Sequence, residues 1–568
     1  MIEARGTWTT AVLVLASAAL AVLAGAALYQ VSFYVRLPVD LLSFAESPFI
    51  ADIVSLRLGE SPYHPPGDNN SYPYSAGTQV LTHAIARLLG RGDSIATMRW
   101  IQLAYVLAAC VVGVGICHEI ARRALGRYRH RALWWVVWGA TLVLVALDPR
   151  FNAYNHSLHN DGLGLLVSAL AFWTIARYER TPRRWLMGLS LLIPVAGFLV
   201  KQSLIIWLGL AAACYLLTGR FRLRHAALFV AAGGLAAAGA VAVQHALWGD
   251  PYLWWVFGAL GAKTVSPFRS ALHGLEAGGY LVLAAVGAWA LLLRPSRGAT
   301  GGAGGAASGV GARARDDGTP PAGGGAPRSD ASAARRPRIP RLPALVALWG
   351  VWLVLFLGEA YTSGLGWVVN HLGPGVFLAT CWFLVAVTAL WRDAVERHAG
   401  WAALARTAIL GAVLVCVPGA LDLVRVPRNP VPADFDRYVS AIEAAFEGLP
   451  ASDVLLDNGS WIYLREGVIM KDRSSVVGIH AGPNQEEISR EHLADTIDRI
   501  RSRRYAKILT RELYSERSPY DFQNRGSGVR EAILESYREV GRIPAVEGID
   551  VWWPRNLLSE IIVLEPRE

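Results

Sequence analysis

Charge is scarce in this chain: Asp, Glu, Lys and Arg make up 17% of its 568 residues, against 53% hydrophobic ones. With a mean hydropathy of +0.34, that balance excludes an ordinary soluble enzyme and suits a chain dominated by membrane spans. Lysine is scarcer still. Only Lys201, Lys263, Lys471 and Lys507 stand among 54 basic residues, a bias read as genomic base composition. The five cysteines (Cys110, Cys117, Cys214, Cys381 and Cys416) all lie in apolar runs and form no Cys-x-x-Cys pair. A disulfide framework and a zinc site of that type are thereby excluded. The polar C-terminal stretch has no cysteine, Gly-rich phosphate loop, nucleophile elbow or metal-spaced His pair. No repeat of roughly 20–50 residues is evident, which counts against a solenoid.

What is abundant is apolar sequence. The first run, Trp8 to Tyr34, exceeds a signal-peptide core of roughly 7–15 residues and reads as an uncleaved anchor, with cleavage near its Ala-Gly-Ala stretch as the alternative. Further runs follow at Ile101–Ile120, Ala132–Leu147, Leu163–Ala176, Leu186–Leu199 and Leu204–Leu217. The last are Ala226–Leu247, Gly278–Leu293, Leu345–Leu357, Val376–Leu390 and Leu404–Val424. The pattern predicts a polytopic α-helical membrane protein of about 11 spans, each needing about 20 apolar residues.

The net charge of +10 invites a nucleic-acid reading until it is mapped. Arg122, Arg123, Arg127, Arg129 and Arg131 fill one connection, and Arg177, Arg180, Arg183 and Arg184 another. Arg220, Arg222 and Arg224 fill a third, Arg392, Arg397 and Arg406 flank a fourth, and the segment Arg294–Arg341 holds nine. All fall on one side when the spans alternate, so the positive-inside rule makes that side cytoplasmic. The polar tail is then extracytoplasmic. The division expected is a membrane module over 1–425 and a soluble domain over 426–568. Gly/Ala/Pro/Arg-rich sequence at about 295–340 has little to bury and reads as a disordered cytoplasmic loop. In the tail, Ser452–Leu456 and Ala506–Thr510 read as strands, and Pro432–Phe446 and Ile488–Arg501 as amphipathic helices, which predicts a small α/β domain.

Sidedness makes the polar residues of the outer face informative. In the first outer loop, Ser47 suits an N-cap, Pro48 a first helical residue and Gly59 a stop, with Phe49, Ile53 and Leu56 on one face. Such a helix is expected to lie in the membrane interface, with Asp40 and Glu46 just before it. Asn155 to Asp161 opens the fourth span; His156, His159 and Asp161 there could meet a metal or substrate hydroxyls, although a helix N-terminus favours an Asp anyway. Lys201-Gln202-Ser203 interrupts apolar sequence, and a cation in that setting costs roughly 2.5–3.5 kcal/mol on insertion scales, so it should be paired or functional. Lys263, Arg269 and Arg99 are further outer-face cations that run against the inside bias and so suggest an anionic ligand. Gly364 to His371 is an uncharged outer connection ending in Asn370 and His371.

These residues together resemble a family. Glu46-Ser47, Leu58-Gly59-Glu60-Ser61-Pro62-Tyr63 and Tyr72-Pro73-Tyr74 resemble the first outer loop of the GT-C glycosyltransferase superfamily. His159-Asn160-Asp161-Gly162-Leu163, Lys201-Gln202-Ser203 and Asn370-His371 resemble its later outer-face motifs. The likeness covers about the first 390 residues and the plan of an extracytoplasmic C-terminal domain. One departure stands out: many members carry adjacent Asp-Glu in the first loop, where this chain has Ala45-Glu46 with Asp40 upstream.

The resemblance implies transfer of a sugar from a polyprenyl-phosphate donor to an extracytoplasmic glycan, lipid or protein acceptor, at the cell membrane, with inversion. In that frame Asp40 or Glu46 is the general base, and Lys201, Arg99 and Arg269 receive the donor phosphate. His159, Asp161, Asn370, His371 and Tyr63 contact substrate. No cofactor and no metal ligand is implied, a divalent metal being the open alternative, and no nucleic acid is involved. The competing reading is a transporter or flippase for lipid-linked saccharides, which would show paired repeats and charged or broken midplane helices. A non-catalytic scaffold is a third.

Overall fold

A computed structural model describes residues 2–41, 46–68, 70–126, 128–152, 154–259, 265–292, 341–364, 369–397, 433–456, 459–472, 486–511, 513–514, 528–546 and 558–568. The first loop is bracketed by α1 (Ile2–Arg36), α2 (Glu46–Leu58) and α3 (Gly77–Leu88). The bundle continues with α4 (Ile95–Ala124), α5 (Arg131–Ala146), α6 (Pro149–Asn152), α7 (Asp161–Arg180), α8 (Arg184–Val200) and α9 (Ile206–Leu217). It ends with α10 (Leu223–Trp248), α11 (Asp250–Leu253), α12 (Pro267–Glu276), α13 (Gly278–Leu292), α14 (Arg341–Ser363) and α15 (Gly373–Arg397). Local chemistry sets several boundaries. Ser94 Oγ accepts from the Thr97 amide to open α4, Ser266 caps α12 before Pro267, and Gly249 ends α10 at φ 72°.

Ten of the eleven apolar runs are helical here; the eleventh, Leu404–Val424, lies outside the described residues, as does the 295–340 segment. Among the described residues, five helices are long and apolar enough to cross a membrane, or six if α12 and α13, bent by 57°, form one broken span. The count of about eleven is therefore not established. Helices α5, α8 and α9 have 16, 17 and 12 residues, and at about 1.5 Å per residue they fall short of a hydrocarbon core of about 30 Å.

Burial sorts the helices into centre and rim. The apolar stretch of α15 is 94% buried, those of α1 and α10 only 22%. Trp138, Trp207, Trp352 and Trp382 are buried in the interior, while Leu15, Val22, Leu228, Leu235 and Val243 stand exposed along α1 and α10. An apolar rim around a packed centre is what hydrocarbon as solvent demands, and this is a membrane protein.

At one end of the bundle the arginines gather on two buried glutamates. Arg177 and Arg180 both pair with Glu119. Glu179 accepts from Thr218 at 2.7 Å and pairs with Arg220 at 3.5 Å. The opposite end carries the first loop, the α7 and α9 starts, and the tail.

In the tail, α16 (Ala433–Ala445), α17 (Trp461–Glu466), α18 (Glu486–Arg501) and α19 (Val529–Ser536) surround a four-stranded sheet. Its strands are β1 (Val454–Leu456), β2 (Lys507–Arg511), β3 (Tyr537–Ile543) and β4 (Ile561–Pro566), in the order β1-β2-β4-β3. Only β1–β2 is parallel, with Leu455 opposite Ile508. The boundary expected near 425 lies outside the described residues.

The tail docks on the first loop, and this corrects the expectation for α2. Phe49, Ile53 and Val54 are buried, but so are Glu46, Ser47, Asp52 and Ser55 around the rest of the helix. Instead of burying one face alone, α2 is held between α3 and α17. Ser47 reaches the tail: its hydroxyl meets Ser460 Oγ at 2.9 Å and accepts from the Gly459 amide. Arg57 donates to the Leu464 carbonyl, and the Asp472 amide donates to the Asp68 carbonyl.

Candidate functional site

The site forms at the turn between the antiparallel helices α8 and α9, whose Ser190 and Tyr215 hydroxyls meet at 2.6 Å. After Val200 the chain extends at Lys201 (φ −154°, ψ 124°), turns once through Gln202–Ile205 and returns as α9. The turn aims Lys201 at the first residue of α7. Its Nζ donates to Asp161 Oδ1 at 3.0 Å and lies 5.9 Å from the centre of the Tyr74 ring. Asp161 Oδ2 accepts from Asn370 Nδ2 at 2.6 Å and lies 3.2 Å from His159 Nδ1. His159 in turn stacks on Tyr154 at 4.5 Å between ring centres. A helix N-terminus favours the anion, and the buried cation and anion each have the partner that burial requires.

These groups border a cavity of about 210 Å³ whose walls include Asn152, Asn155, Asp161, Lys201, Trp207, Glu359, Tyr361, Asn370 and His371. Leu165, Leu204, Ile206, Leu355 and Pro374 complete the walls, so the amides, carboxylates and one ammonium are set in a mostly apolar lining. Glu359, on α14, holds its place by accepting the Gly375 amide at Oε2, 2.8 Å away. Gly375 is required there, because a Cβ at that position would come within 2.5 Å of the same oxygen.

Of the residues expected from sequence, the cavity brings together Asp161, Lys201, Asn370 and His371, with His159 behind Asp161. The others are elsewhere, each occupied by protein. Asp40 is fully buried; both its oxygens accept from the Ser460 amide at 2.8 Å, and Oδ1 also accepts from the Trp461 amide. It caps α17 of the tail. Glu46 receives Arg99 Nε on Oε1 at 2.8 Å and Nη2 on Oε2 at 2.6 Å, and Oε1 also accepts from the Leu158 amide.

Arg99 spends its remaining donors on the carbonyls of Tyr34, Leu37 and Val39. All five guanidinium hydrogens are then directed at protein oxygens, which leaves none for a phosphate. Arg269 sits on α12, away from the cavity walls. Tyr63 donates to the Tyr74 carbonyl and packs between Trp248 and Tyr252. His156 is pushed down to about 4 by burial, so its imidazole is neutral near pH 7 and brings no charge to an anion. Among the described residues no group of three or more His, Cys, Asp or Glu side chains is arranged to hold a metal.

Sequence reading passed over Asn152, Asn155 and Glu359. The signal for Glu359 was present: it is the one acidic residue within Arg341–Ser363, and an ionisable group in such a helix is a functional candidate by default. The apolar run Leu345–Leu357 stops just short of it.

A bundle of apolar helices with a cavity at the α8–α9 turn, and a sheet-bearing tail docked at the same end, is the architecture. Two solved structures share it over nearly the whole chain. ArnT from Cupriavidus metallidurans bound to undecaprenyl phosphate aligns with a TM-score of 0.51 at 13% identity, covering 98% of this chain and 98% of that one. The apo state of the same protein aligns at 0.51 and 12% identity, over 96% and 97%. No family model and no curated protein matches the sequence. At 12–13% identity this likeness is one of fold.

Proposed function

We propose that this protein transfers a sugar from a polyprenyl-phosphate carrier to an acceptor on the extracytoplasmic side of the cell membrane, with inversion in a single displacement. The observation that carries the reading is the cavity itself. Asp161, Lys201 and Asn370, far apart in sequence, converge as a polar cluster on one pocket at the end of the bundle where the tail docks. The fold likeness supports the choice of carrier, since the neighbour from Cupriavidus metallidurans binds undecaprenyl phosphate.

In this reading Lys201 faces the leaving phosphate as a compact point charge, and Asp161 holds it in place. Asn370, His371 and the free edges of Asp161 meet sugar hydroxyls. Asp40, Glu46 and Arg99 act by positioning: they lock the first loop to α4 and to the tail. Tyr63 and His159 brace the wall, and Arg269 lies outside the reacting centre. The membrane module over 1–425 carries the chemistry, and the domain over 426–568 closes the site from the extracytoplasmic side. The arginine-rich end is cytoplasmic by the positive-inside rule.

The test is direct. Purified protein in nanodiscs is incubated with a panel of polyprenyl-phosphate pentoses and hexoses and candidate acceptors. Release of free polyprenyl phosphate together with a glycosylated product supports the reading. Movement of intact lipid-linked sugar across vesicle bilayers without cleavage would replace it with the transport reading.

A further inference from the structure

The buried carboxylates at the loop end differ in what their oxygens touch. Asp40 accepts from the Ser460 and Trp461 amides, Glu46 is forked by Arg99, and Asp148 is paired with Arg150. Asp52 accepts from Gln79 at 3.1 Å and from the Tyr72 amide. Asp161 has Lys201 on one oxygen and Asn370 on the other. Glu359 is the exception: it borders the cavity, its Oε2 is anchored by the Gly375 amide, and no donor among the described residues reaches Oε1. A carboxylate fixed by one oxygen and open by the other is oriented as a proton acceptor must be.

We propose that Glu359 is the general base of the transfer, a role that rests on the glycosyltransferase reading above. Its Oε1 takes the proton of the acceptor hydroxyl as that oxygen bonds to the anomeric carbon. The bond from the anomeric carbon to the carrier phosphate breaks, and its electron pair leaves on the phosphate oxygen facing Lys201. The proton ends on Glu359 and the negative charge on the carrier, so no further reactant is needed. Lys201 and Glu359 reach the cavity from different elements, the α8–α9 turn and α14. Attack and departure occur on opposite sides of the anomeric carbon, so their helpers belong on different walls of one cavity.

Glu359→Gln keeps an oxygen for the Gly375 amide and removes the base. With a polyprenyl-phosphate sugar that the wild type turns over, kcat should fall on the order of 10²–10⁴-fold, while KM and undecaprenyl phosphate binding stay within about threefold. Glu359→Ala leaves room for a small carboxylate, and added formate should restore part of its rate but none to the Gln variant. A Gln variant with near-wild-type kcat overturns the assignment. So does a Gln variant that loses carrier binding in step with its rate, which would mark Glu359 as structural. Failure of the wild type on every donor sinks the parent reading instead, and is seen before any variant is made.

Discussion

The first loop and the cavity draw on the same residue types. In the first loop, Asp40 and Glu46 are surrounded by amides and a guanidinium, and their neighbours Ser47 and Arg57 reach across to the tail. In the cavity, Asp161 and Glu359 share space with Lys201, Asn370 and His371, and part of their surface is open. A carboxylate with both oxygens engaged by protein, as in Asp40, Glu46 and Asp161, is held as part of the fold and is less available to take a proton from a substrate. One with an open oxygen beside a cavity contributes less to stability and remains available for chemistry. Acidic residues near a membrane surface therefore say little about catalysis until their partners are known.

The largest effect expected is on the first-loop side. Arg99→Met leaves Glu46 charged, buried and without its counterion, which should cost about 3–5 kcal/mol. Thermal unfolding in detergent should show the loss, and the double variant Arg99→Met/Glu46→Leu should recover much of it. If Arg99→Met instead keeps its stability and loses carrier binding, Arg99 is a phosphate ligand and the comparison breaks.

Next comes the cavity. Lys201→Ala should lower turnover on the order of 10²–10³-fold with expression intact, the effect of removing one preorganised charge-stabilising group. Lys201→Arg should not restore the rate, because a planar fork replaces a point charge in a confined space. Steady-state kinetics on both variants decides the matter; an unchanged rate in Lys201→Ala would remove the lysine from the site.

A smaller change is expected for Asp40→Asn. It replaces an acceptor-only group facing two amide donors with one that carries a donor of its own, and should cost about 1–3 kcal/mol. The readout is faster proteolytic cleavage between tail and bundle, with turnover reduced only severalfold. A rate loss of 10²–10⁴-fold with the tail still docked would make Asp40 the base.

The last effect concerns acid stability and leaves the wild type unchanged at neutral pH. Because burial holds His156 at about 4 in the fold, against about 6.5 when unfolded, the unfolded chain binds the extra proton first. Stability should then decline as pH falls from about 6.5 to about 4, and His156→Gln should flatten that part of the curve.

Much of the bundle was legible because span formation is local. Ten apolar runs are helices, and Arg177, Arg180, Arg220 and Arg392 of the arginine-rich connections are found at one end, while the Arg294–Arg341 segment lies almost wholly outside the described residues. Glu119 and Glu179, which hold those arginines, were invisible to a count of positive charge. In the tail, β1, β2, α16 and α18 were readable from periodicity, whereas β3, β4 and α19 were not. Tyr537–Ile543 has only its two ends buried, so it shows no clean alternation.

Among the candidate site residues, Asp161, Lys201, Asn370 and His371 could be found because each is a polar group where apolar sequence begins or breaks. Glu359 carries the same signal but sits at the end of a run long enough to be read as simple membrane span.

The sequence by itself determined that this is a membrane chain, where its helices run, and which end gathers the arginines. Those properties depend on about 20 neighbouring residues at a time. Only the tertiary structure decided which carboxylates are occupied. The partner that fills Asp40 is the amide of Ser460, and the one that forks Glu46 is Arg99. A lone pair is satisfied by whatever the fold brings within hydrogen-bond reach, and no local pattern of residue types carries that information.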